Sequence, residues 1–125
     1  MMRLMTVTLA MAPGPGFPEG SPGHRYVLTL ALDGDARPDA AAWVADASPW
    51  PALRIRPGEP EIHGDVQYDD DSGWSLRFFG QADDRSDAPS TVLTVHEGLR
   101  PGAYITVNEP EGDARTFRVV GVEAG

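Results

Sequence analysis

A chain of 125 residues is long enough for one domain with a single core, which would take in roughly 65% of the unfolded surface. It contains no cysteine, which excludes disulfides, thiolate zinc sites and a cysteine nucleophile, and suits a reducing, cytoplasmic compartment. Its net charge of −9 opposes phosphate backbones and anionic bilayers, so neither nucleic acid nor a membrane is an expected partner.

All ten basic residues are arginine, the bacterial-type composition of a GC-rich genome and not a functional signal. With 14 glycines and 12 prolines, the chain suits many short strands joined by turns better than helices. Met1 to Ala12 alternates, with Val7, Leu9 and Met11 on one face and Thr6, Thr8 and Ala10 on the other, and reads as a strand. Its alternative is a weak export signal ending at Ala10-Met11-Ala12, which Thr6, Thr8 and Pro13 argue against. No run approaches the ~20 apolar residues of a membrane helix.

Residues 13–23, P-G-P-G-F-P-E-G-S-P-G, predict a flexible loop; a partner-binding role would use Phe17 as its anchor. Tyr26 to Leu32 alternates as a strand, closed by Asp33-Gly34-Asp35. Pro38 to Ala47 is the one expected helix: Pro38 suits the first helical position, and Ala40, Trp43, Val44 and Ala47 share a face, with Trp43 buried. Trp50, between two prolines, is either a lid over the core or an exposed aromatic. Leu53 to Arg56 predicts a short strand with Leu53 and Ile55 inward and Arg54 and Arg56 on the surface meeting neighbouring carboxylates, or forming an anion-binding pair.

Ile62 to Tyr68 and Trp74 to Phe79 predict a hairpin in which Val66 and Tyr68 pair with Trp74 and Leu76. Its tip, Asp69-Asp70-Asp71-Ser72-Gly73, concentrates three carboxylates and raises calcium as a ligand. The spacing fails an EF-hand: from Asp69, Gly73 falls where a ligand belongs, Trp74 where glycine belongs and Gly80 where the bidentate glutamate belongs. A looser site would need Asp83 and Asp84 beside Asp69 to Asp71; otherwise the tip is a solvated turn.

Thr91 to His96 and Ala103 to Asn108 continue the alternation, separated by the break at Pro101-Gly102. Glu109-Pro110-Glu111-Gly112 predicts the turn into Arg115 to Val122, where Val119 and Val120 break the period and predict either a bulge or burial on both sides. His24, His63 and His96 are far apart in sequence, so any zinc site would be assembled by the fold alone. His63-Gly64-Asp65, Ser72 and Ser75 form no nucleophile motif, and no catalytic, cofactor or metal residue is assigned.

The expectation is a single all-β domain over residues 1–125, a mostly antiparallel barrel or sandwich of about seven or eight short strands with one helix. The expected core is Val7, Leu9, Leu28, Leu30, Trp43, Val66, Trp74, Leu76, Phe78, Leu93, Ile105, Val107, Phe117 and Val119. For function, the leading expectation is a non-catalytic interaction module or assembly subunit, with a protein partner or a second copy on a strand edge or an aromatic loop. The alternatives are a calcium-binding protein through Asp69 to Asp71 and a small enzyme built on a histidine–carboxylate pair.

Overall fold

Eight runs whose apolar residues recur every second position must each bury one face, and the chain solves this by rolling all eight into one closed antiparallel sheet. The computed structural model describes residues 4–13, 20–78, 90–110 and 114–124. In chain order the elements are β1 (Leu4–Met11), β2 (Ser21–Ala31), α1 (Ala40–Ala45), β3 (Trp50–Ile55), β4 (Ile62–Asp69), β5 (Gly73–Phe78), β6 (Ser90–Val95), β7 (Tyr104–Asn108) and β8 (Ala114–Ala124). Each strand pairs with the next, and β8 returns to β1 with Leu9 opposite Val119. Among the described residues every strand therefore has a hydrogen-bonded neighbour on both sides.

The register fixes which residues face inward. Leu28 sits opposite Val7 and Ala52, Val66 opposite Trp50 and Leu76, and Ile105 opposite Phe117; all of these are buried. Tyr26, Leu9, Leu30, Leu93, Val107 and Val119 complete a core that spans the whole barrel. Gly64 is required where β4 meets β5, because a Cβ there would overlap the carbonyl oxygen of Arg77. Thr8 pairs with Gly121 and Leu9 with Val119, so Val120 is the extra residue of a bulge, and Val119 and Val122 can both face the core. The bulge settles the broken period of β8.

Several expectations are corrected. The loop of residues 13–23 is shorter at its C-terminal end: β2 begins at Ser21, although its regular pairing with β1 runs only from Arg25. The helix is confined to Ala40–Ala45, capped by Asp39, whose Oδ1 accepts from the Ala42 amide at 3.1 Å; Pro38 instead bridges to Leu32. Val44 is 70% exposed, and Trp43 is half-buried, its Nε1 donating to the Val66 carbonyl at 3.0 Å. A helix of under two turns has no room for the expected four-residue apolar stripe. Trp74 and Phe78 also pack against the core only half-buried.

Trp50 opens β3 and is buried, with its Nε1 donating to Asp46 at 2.9 Å. Pro51 is tolerated inside a strand because β2 pairs only with Ala52 to Ile55, so no neighbour on that side needs its missing N–H. Burial of Trp50 and Ala52 sets the phase of β3 and reverses the expectation for its arginines. Arg54 faces inward opposite Tyr26, while Leu53 and Ile55 lie on the outer wall.

Candidate functional site

Extending the inward phase past the apolar core collects charged side chains at one mouth of the barrel. Trp50, Ala52 and Arg54 lead on to Arg56; Ile105 and Val107 lead on to Glu109; Val119 and Phe117 lead back to Arg115, which sits opposite the buried Val107. On β2, Tyr26 leads back to His24. Because neighbouring strands run antiparallel, these strand ends meet at the same end of the barrel.

Glu109 is the hub of this mouth. Its Oε2 accepts the Tyr26 hydroxyl at 2.7 Å and forms a salt bridge with Arg56 Nη2; the two charged side chains are only 9% and 17% exposed. Burial pushes the Glu109 carboxyl up, but the Tyr26 hydroxyl, Arg56 and Arg115 outweigh it and hold the group below its ordinary value. Burial and the Glu109 contact push the Tyr26 phenol well above its usual range, so it stays a donor. Tyr26 is flanked by Phe117 and Phe78, with centroids at 5.2 and 5.7 Å, and the Arg54 guanidinium lies 5.9 Å over the Phe78 ring.

His24 belongs to the same mouth. Its Nδ1 hydrogen-bonds with Ser21 Oγ at 2.9 Å, and burial, then the charges of Arg56 and Arg115, lower its pKa against the opposing pull of Glu109 and Glu59. Among the described residues, three guanidiniums, the Glu109 carboxylate and a histidine held below its ordinary pKa therefore converge beside two aromatic rings. Such a set can hold an anion by charge-assisted hydrogen bonds.

The other candidates are dispersed. His63 sits opposite Leu53 on the outer wall, and His96 lies at the opposite end, its Nε2 2.9 Å from Thr106 Oγ1. Asp69, Asp70 and Asp71 form the β4–β5 turn, closed by Gly73 at φ +80°; Asp69 Oδ1 accepts the amides of Asp71 and Ser72 at 2.8 and 3.2 Å. Those amides hold the Asp69 carboxyl below its ordinary value. Asp83, Asp84 and Phe17 lie outside the described residues, as does the turn from Glu111. Among the described residues no group of three or more histidine or carboxylate side chains could hold a metal ion. Ser72 belongs to the turn, and Ser75 pairs opposite Gln67 away from the charged mouth.

Tyr26, Glu109 and Arg115 were not singled out from the sequence. The available signal was parity: each strand's alternation, carried past its last apolar residue, ends on a charge of the same inward face. No helix among the described residues is long and apolar enough to cross a membrane. Comparison of the chain with protein-family models, with curated proteins and with solved structures finds no significant match.

Proposed function

We propose that the protein is a non-catalytic binding module that takes a small carboxylate or other compact anion at this charged mouth. The observation that carries the reading is a local reversal of charge. Among the described residues, Arg54, Arg56 and Arg115 face inward against one inward carboxylate, Glu109, in a chain whose net charge is −9. Negative surroundings repel an anion at long range, so what supports binding is the short-range geometry of guanidinium forks, which match carboxylate oxygens in pairs. Glu109 holds Arg56 and Tyr26 in place, and Phe78 supplies an apolar flank. The lack of cysteine is the ground for placing the protein in the cytoplasm.

Titration calorimetry of the full chain with acetate, benzoate and inorganic phosphate tests the reading. Saturable binding of at least one probe is expected, with affinity falling about tenfold in Arg54→Met or Arg115→Met for loss of a charge-assisted hydrogen bond. Absence of heat with all three anions, or binding untouched by both substitutions, would overturn it.

A further inference from the structure

At the opposite end of the barrel a groove of about 480 Å³ runs between the turn after β2 and the β4–β5–β6 wall. Asp33, Arg37, Tyr68, Trp74 and Thr94 are among the residues that line it. Its size lies in the range of small-molecule sites. Tyr68 and Trp74 are half-buried, with ring centroids 4.7 Å apart and planes at 47°, so together they present a concave aromatic corner. Each ring has a further aromatic neighbour: Trp50 stacks on Trp74 at 6.0 Å and 7°, and Trp43 meets Tyr68 edge-on at 6.2 Å.

The sign of the ligand follows from the charges around the corner. Asp33 lines the groove, and Asp35, Asp69, Asp70 and Asp71 occupy the two turns that border it. Arg37 is the one cation among the described residues of the lining, and its guanidinium donates to the backbone carbonyls of His96 at 2.7 Å and Val95 at 3.5 Å. Asp33 and Asp69 each commit Oδ1 to two backbone amides of their own turns, so these carboxylates act on a ligand through their field and not as a metal shell. Non-parallel aromatic faces under a negative potential select a diffuse cation too large and too weakly hydrated to prefer water.

We propose that this groove binds an organic cation of the alkylammonium class, seated on Trp74 and Tyr68 and oriented by Asp33. The site shares no residue with the charged mouth and stands whether or not an anion binds there.

The test is tryptophan fluorescence of the full chain titrated with choline and, in parallel, with its neutral isostere 3,3-dimethylbutan-1-ol. Choline is expected to give a saturable change, and the neutral alcohol a much weaker one. Trp74→Leu should weaken choline binding about tenfold, in line with a desolvated cation–π contact. Asp33→Asn keeps the oxygen that caps the turn and removes the charge, so it should weaken choline several-fold with the melting temperature retained. A peptide carrying trimethyl-lysine is the second arm: tighter binding than choline assigns the cation to a modified protein, and weaker binding to a free metabolite. Equal affinity for the neutral alcohol, no saturable response to either cation, or unchanged choline binding in Asp33→Asn would overturn the proposal.

Discussion

The two ends of the barrel treat charge in opposite ways. At the mouth around Glu109 the charges lie on or one residue beyond the inward-facing strand ends, where they are half-buried and Arg56, Glu109 and Tyr26 satisfy one another. At the helix end the inward positions are aromatic, and the charges sit on exposed turns, where Asp33 and Asp69 cap backbone amides. Turn charges are cheap because water solvates them; strand charges that face inward are costly, and a fold retains them only with partners. That contrast is why the charged mouth reads as a site and the Asp69 to Asp71 cluster as a turn.

The largest break expected in this arrangement is Trp50→Ala, which empties a fully buried position behind the aromatic corner and should cost about 3–5 kcal/mol in urea unfolding. If the two ends act independently, the variant should still bind the anionic probe while folded. Next comes Glu109→Ala, which removes the carboxylate that Arg56 and Tyr26 share at the other mouth. About 2–3 kcal/mol is expected, less than for a fully buried pair because Arg56 keeps some solvent contact. The double variant Arg56→Met, Glu109→Leu should recover most of that stability yet stay unable to bind anion, which would separate the network's structural role from its binding role. A double variant as unstable as the single would show that the ion pair itself stabilises this end of the barrel.

Trp43→Phe keeps an aromatic ring against Tyr68 but removes the donor to the Val66 carbonyl, and about 1 kcal/mol should be lost, with the charged mouth untouched. Acid sharpens the comparison from the other side. His24 and Glu109 both have folded pKa values below their ordinary values, so the unfolded chain binds more protons and stability falls with pH. Loss should begin as pH drops below the ordinary histidine value of 6.5 and resume below the ordinary glutamate value of 4.5. His24→Gln should erase the first step alone in urea midpoints measured against pH. The smallest effect belongs to Asp70→Asn, a solvated turn position whose substitution should leave the melting temperature nearly unchanged with or without calcium.

Most of the strands were legible as alternation. Val66 against Leu76 and Tyr68 against Trp74 pair as the spacing predicted, and the period break at Val119 and Val120 marked a real bulge. Expectation and structure part where the inward pattern continues past a proline or on to a charge. A strand that starts at Leu53 leaves out the buried Trp50 and Ala52 and so inverts the phase of Arg54 and Arg56, and Glu109 as a turn residue alone gives no sign of the hub of the mouth. The expected helix is too long because a shared apolar face does not imply burial: an element this short exposes Val44 and leaves Trp43 half covered.

By itself the sequence determined the all-β class, the position of most strands and most of the core, because hydrophobic period is a local property of each strand. Only the tertiary structure decided that the sheet closes, that Arg54 and Arg56 turn inward and that Tyr26, Arg56 and Glu109 meet across 83 and 53 residues of chain. Those outcomes depend on register between strands, and register is a relation between distant segments that no single segment contains.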